Sequence, residues 1–233
     1  MGMERSRRGG EADPGEVAAV LADVARLGPY FVIDTGPDNG AGWRVLAETA
    51  PGHLGELVDV YAERLATDER RVAASILFQG LASRLWSPVV AAAARGIVPD
   101  LSGLLWAHGA PTALRLPEPR GWRVEGPVDG AALVHGTVVA GQLVPLSVTL
   151  RALVRLPDGL IWGNAASALA GGLAVGPRDA VREALVRALL DRAPLTGTGG
   201  LGPAGFVRRS CCLYYRVPPG GEMCGDCALL PKG

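Results

Sequence analysis

The chain has 233 residues, 48% of them hydrophobic and 20% charged, with 23 basic and 23 acidic side chains and a formal net charge of zero. Balanced charge excludes a general nucleic-acid binder, which needs a basic excess, while the apolar fraction suffices for a sizeable core. Lys232 is the only lysine, so Schiff-base chemistry and a phosphate-loop lysine are excluded from the main body, and no G-x-S-x-G, H-E-x-x-H or P-loop is present.

Residues 1–13 are polar and lack an apolar run, which predicts a disordered lead-in with neither signal peptide nor anchor. Pro14 to Leu27 reads as a first helix, with Val17, Val20, Leu21 and Val24 at helical spacing. Tyr30 to Ile33 reads as a short strand, and Gly52 to Leu65 as a second amphipathic helix. Arg70 to Arg95 is the longest helical stretch, apolar nearly all round and therefore predicted to lie in the core. Its Pro88 predicts a kink or a split. Arg84, the only charge between Val72 and Val90, needs a carboxylate, a carbonyl or a ligand, because an unpaired buried charge is costly. Pro111 to Gly130 suggests a short strand pair around 113–116 and 122–124. Gly141 to Leu156 is ambiguous: its leucines recur at three and four as in a helix, while Val144, Leu146, Val148 and Leu150 alternate as in a strand. Helix is preferred because Leu160 to Leu173 is helical too, so an antiparallel helix pair joined at Pro157-Asp158-Gly159 is expected. Arg178 to Arg192 is a further helix. Gly197, Gly199 and Gly202 spell G-x-G-x-x-G, but the motif follows a helix and not a strand, and Pro203 and Gly205 bar a helix after it. The reading is a flexible linker. No stretch reaches about 18 uninterrupted apolar residues, so stable membrane insertion is not expected.

All four cysteines, Cys211, Cys212, Cys224 and Cys227, fall in the last 25 residues. They form an adjacent pair and a C-x-x-C, separated by a stretch containing Pro218, Pro219, Gly220 and Gly221. Such a stretch turns readily and lets the two arms meet, making a site for a soft metal centre. Disulfides suit small secreted domains with cysteines spread throughout, which this chain is not. One tetrahedral zinc fits an adjacent pair poorly, because neighbouring side chains in extended backbone point apart. A [2Fe-2S] centre divides four thiolates two per iron. Spacing alone leaves zinc and iron-sulfur both open.

The tail, RRSCCLYYR followed by CGDC, resembles the FhuF-like ferric-siderophore reductases, which carry a C-terminal [2Fe-2S] centre. In that family a Cys-Cys pair precedes a C-x-x-C by about ten residues; here the interval is one residue longer. SILFQGLASRLWSPVVAAAARGIVPDL (75–101) and LIWGNAASAL (160–169) extend the resemblance more loosely. It implies that Cys211, Cys212, Cys224 and Cys227 ligate the cluster. Trp162 and Asn164, in the segment matching the family's Trp-Gly-Asn, become candidates for substrate contact, as does Arg84. Arg208, Arg209 and Arg216 are candidates for offsetting the negative charge of a thiolate-ligated cluster and so raising its potential.

These readings give a mainly α protein with a minor β component: a lead-in (1–13), a helical, siderophore-facing body (14–194), a Gly-rich linker (195–204) and a four-cysteine lobe (205–233). The expected activity is cytoplasmic reduction of siderophore-bound Fe(III) to Fe(II), with a ferric siderophore as substrate and a separate electron donor. An iron-sulfur electron carrier or sensor and a zinc-stabilised binding module are the alternatives.

Overall fold

The structure is a computed structural model that describes residues 10–37, 40, 42–107, 112–220 and 222–229. Most of the expected lead-in lies outside the described residues. Residues 10–13 do not behave as a loose tail: Ala12 N–H donates to the Gly121 carbonyl at 3.0 Å and Arg123 N–H to that of Gly10 at 2.9 Å.

The core is built on helix α3 (Arg70–Ala93), in which 18 of 24 residues are buried. A helix apolar on every side needs neighbours on every side. Helices α1 (Pro14–Ala25) and α2 (Pro51–Arg64) cover two of its flanks, and α6 (Asp158–Gly171) runs alongside it. Asp13 starts α1 by accepting the Gly15 N–H at 2.8 Å, a side-chain N-cap. Pro88 neither kinks the chain into two elements nor ends the helix. Its missing ladder bond costs about 3 kcal/mol in an isolated helix, and packing on all sides offsets it here.

Helix α6 lies parallel to α3. Asn164 faces Ser75, Gln79 Nε2 donates to Ser167 Oγ at 3.2 Å, and Gly172 lies against Ser87. Gly163, Ala165, Ala166, Ala168 and Ala170 are buried along α6, and small side chains let two helices approach closely. The preceding helix α5 (Val144–Leu153) packs mainly against α2, while α6 takes α3 as its partner. The expected antiparallel pairing of these consecutive helices is therefore corrected: α6 is too apolar for a surface hairpin and is drawn to the central helix instead.

Sequence periodicity also misses a longer element. Helix α4 (Pro127–Val134), a π-helical stretch (His135–Leu143) and α5 form one continuous helix from Pro127 to Leu153. The wider π turns directly precede Pro145, where an ordinary turn would set the ring against a carbonyl. Thr137 and Gln142 from this stretch bind the Leu101 N–H at 2.8 Å and its carbonyl at 2.7 Å. Both this helix and α3 are long and apolar enough to cross a membrane by length and composition, which single polar residues had masked in the search for unbroken apolar runs. In α3 that apolar surface is covered by the rest of the protein.

The β component is small. Tyr30–Ile33 is not a strand: Pro29–Phe31 forms a 3-10 turn that buries Phe31. Strands β1 (Arg44–Val45), β3 (Leu105–Ala107) and β4 (Ala113–Arg115) make one antiparallel sheet, and β2 (Ile97–Pro99) pairs with β5 (Gly121–Arg123). The two strands expected near 113–116 and 122–124 exist but pair with earlier strands instead of each other. After α7 (Ala180–Leu190), the supposed linker folds into a hairpin of β6 (Gly199–Gly202) and β7 (Gly205–Arg208). Gly199 is required there because a Cβ would sit 2.3 Å from Phe206 and 2.6 Å from the Val207 carbonyl oxygen. Gly199→Ala is expected to lower stability by about 1–3 kcal/mol, as overpacking does, measured by urea unfolding; an unchanged midpoint would show that the hairpin is loosely held.

Candidate metal centre

Strand β7 delivers the chain to the cysteines. Alternation along it turns Phe206 and Arg208 inward, as the two-residue period of a strand requires. Ser210 then settles on α6, its Cβ lying 3.9 Å from where a Cβ on Gly159 would be. A Cβ on Gly163 would come within 2.1 Å of Ser210 Oγ. Glycines one turn apart thus make a groove for the incoming tail.

A polar network fastens it. Ser75 Oγ donates to the Cys212 carbonyl at 2.7 Å. Asn164 Nδ2 donates to the Ser75 carbonyl and hydroxyl, each at 2.9 Å, while Asn164 Oδ1 accepts from Arg208 Nη1 at 2.7 Å. Arg208 Nε pairs with Asp226 Oδ2 at 3.1 Å, and Arg208 N–H donates to the Asp226 carbonyl at 3.1 Å. Asp226 is the residue before Cys227, so one chain of contacts runs from the central helix to the C-x-x-C turn. Arg216 adds an exposed ion pair with Glu69 at 2.9 Å.

The turn through Pro218, Pro219 and Gly220 brings the arms together: Cys212 Sγ lies 3.4 Å from Cys224 Sγ. That is far beyond the roughly 2.05 Å of a disulfide, and all four cysteines are free. Two thiolates on one tetrahedral metal at about 2.3 Å sit about 3.8 Å apart, so this pair is nearly at metal-sharing distance. Each arm carries one further thiol, Cys211 or Cys227. Among the described residues no three of Cys, His, Asp and Glu converge as a metal site, and the meeting of the two arms is the single contact of Cys212 with Cys224.

Backbone N–H groups meet the two remaining sulfurs in the same local pattern. Leu213 N–H points at Cys211 Sγ at 3.3 Å and Leu229 N–H at Cys227 Sγ at 3.4 Å. Leu213 takes φ +71° to do so, an uncommon conformation for leucine. Such N–H groups are weakly used by thiols and well used by thiolates. Burial, then contact with Cys212, pushes the Cys224 thiol well above the usual range, with Arg208 pulling the other way. Cys212 and Cys227 are 2% and 4% exposed, whereas Cys211 and Cys224 are half-buried.

The remaining predicted residues are placed as follows. Asn164 is fully buried, with its amide committed to Ser75 and Arg208 in the docking of the tail. Trp162 is half-buried on α6 beside it. Arg84 is buried against the Tyr30 ring at 5.8 Å with Nη1 3.5 Å from the Pro29 carbonyl, and burial lowers its pKa. Nine residues from Ser75 on one helix, it points about 180° away from the contact with Cys212. Arg209 is exposed and donates to the Gly197 carbonyl at 3.3 Å. Ser75, Gly163 and Asp226 escaped sequence reasoning as tail-holding residues. Gly163 and Asp226 stood inside the W-G-N and C-G-D-C segments, but nothing in their spacing tied them to each other.

Fold and site together define a mainly helical protein with a docked C-terminal segment carrying four free cysteines. Residues 208–229 match the family described as the FhuF 2Fe-2S C-terminal domain. The chain thus has an FhuF-like C-terminal 2Fe-2S region, and its cofactor is a [2Fe-2S] cluster. No curated protein matches the chain.

Proposed function

We propose that this protein is a ferric-siderophore reductase that delivers one electron to chelated Fe(III), releasing Fe(II). The reading is carried by the FhuF-type match over residues 208–229 on a site whose thiols Cys211 and Cys224 stand half-open to the surface. When bound, the [2Fe-2S] centre supplies a one-electron store. Ferric iron is held tightly by hard oxygen donors and ferrous iron less so, so a single electron loosens the complex. The balance is one electron from an external donor, one ferric chelate consumed, and one Fe(II) and one free chelator formed.

The chain's own part is to hold, shield and present. Ser75, Asn164 and Arg208 fix the cysteine arms on the body. Tyr215, Met223 and Leu229, exposed beside the cysteines in sequence, are apolar surface suited to brief contacts with a chelate or a donor. A cavity of about 610 Å³, walled by Trp122, Leu133, Thr137, Asp100, Asp129 and Arg192 among others, has the size of a small-molecule site and is the body's candidate for engaging the chelate. Free thiols fit a reducing compartment, and the cytoplasm is the proposed location.

The test is stopped-flow oxidation of the reduced protein by ferric hydroxamate and ferric catecholate chelates, with Fe(II) captured by a ferrous-specific dye. Reoxidation with stoichiometric Fe(II) capture is expected. Reoxidation by protein acceptors but by no chelate would replace the reductase with an electron carrier.

A further inference from the structure

Three arginines surround the cysteines in sequence, and the structure separates them. Arg209 and Arg216 are exposed and turned to Gly197 and Glu69. Arg208 is 2% exposed, packed between the body and the C-x-x-C turn. Its two hydrogen-bonded nitrogens are taken by Asn164, a neutral amide, and Asp226. Nη2 is buried and has no hydrogen-bond partner among the described residues. A buried guanidinium N–H left without an acceptor is costly, and among the described residues one carboxylate is its ionic compensation. Sulfur stands close to these contacts along the chain: Asp226 is two residues after Cys224 and one before Cys227, and Cys212 is four positions beyond Arg208. As thiolates these accept; as thiols they scarcely do.

We infer that Arg208, oriented by Asn164 and Asp226, is the positioning residue that sets the electron affinity of the bound [2Fe-2S] centre, with Nη2 directed to its sulfur ligands. Adding an electron makes the thiolate-ligated centre more anionic. A fixed, dehydrated cation favours that form, and net charge and hydrogen bonds to sulfur are the levers that set such potentials. Solvated arginines at positions 209 and 216 are screened by water and ions. Asn164 matters here as a neutral partner: it holds the guanidinium in place without adding a second carboxylate to that of Asp226. The inference rests on the cluster and is indifferent to which acceptor receives the electron.

The test is an anaerobic redox titration of the holoprotein, followed by visible absorbance and by EPR of the reduced form. Arg208→Gln is expected to shift the midpoint to a more negative potential, Arg208→Lys to recover part of the shift, and Arg209→Gln and Arg216→Gln to leave it at the parent value. Asn164→Asp keeps Arg208 but adds a neutralising carboxylate, and a negative shift at full iron content is expected. A fully loaded Arg208→Gln or Asn164→Asp protein with the parent midpoint would overturn the inference, as would equal shifts from position 209 or 216. Failure of both Arg208→Lys and Asn164→Asp to bind iron would make the role of Arg208 structural and overturn the tuning.

Discussion

Replacing Cys212 with serine is expected to remove the cluster: visible absorption vanishes, and iron and acid-labile sulfide fall from about two each per chain to near zero. Cys212 is buried, its carbonyl is fixed by Ser75, and its sulfur faces Cys224 at 3.4 Å. A serine hydroxyl would keep the backbone in place but offer a hard, weakly acidic donor where a soft thiolate is required. The body should survive, because α3 with α1, α2 and α6 forms a core of its own. Far-UV circular dichroism should change little, while the cysteine segment, whose described residues add Phe206 and Leu213 to the main apolar cluster and pack Cys211 and Val217 against it, becomes open to proteases. A coloured Cys212→Ser protein with full iron would remove this cysteine from the ligand set.

The second large effect is expected far from any sulfur. Asn164→Leu takes away one of the two side-chain partners of Arg208 and the donor to Ser75. Leaving a buried guanidinium N–H without its acceptor costs about 1–3 kcal/mol, or a fall in Tm of roughly 2–10 °C for a chain this size. The tail should loosen first, since the network ties Cys212 and Asp226 to the helical body. Limited proteolysis should cut the variant around 195–204 at protease levels that leave the parent whole, and thermal unfolding should report the loss. A variant as stable and as protease-resistant as the parent would show that glycine contacts at 159 and 163 hold the tail without the polar network.

The parts legible in sequence are those with strong local signals. Four cysteines in a tail, an apolar helix of 24 residues and the helix start at Pro14 all declare themselves in neighbouring residues. Pairings that depend on distant partners do not. Val98 and Trp122 in adjacent strands, or Asn164 with Ser75 and Arg208, lie many residues apart, and one sequence holds no record of their contact. Asn164 drew attention through the W-G-N segment, yet the fold turns it inward. The glycines at 197, 199 and 202 looked like a hinge because glycine lacks a side chain; Gly199 is small because Phe206 needs its space. The helix from Pro127 to Leu153 was hidden by Gly136, Gly141 and Pro145, which break ordinary turns and are absorbed by a π-helical stretch.

The central claim is that Cys211, Cys212, Cys224 and Cys227 hold a redox-active pair of bridged irons. Iron, zinc and acid-labile sulfide should be measured on the full chain purified without oxygen, with an absorption spectrum before and after dithionite. The account predicts about two irons and two sulfides per chain and visible bands that bleach on reduction. A colourless protein with one zinc and no sulfide would contradict it.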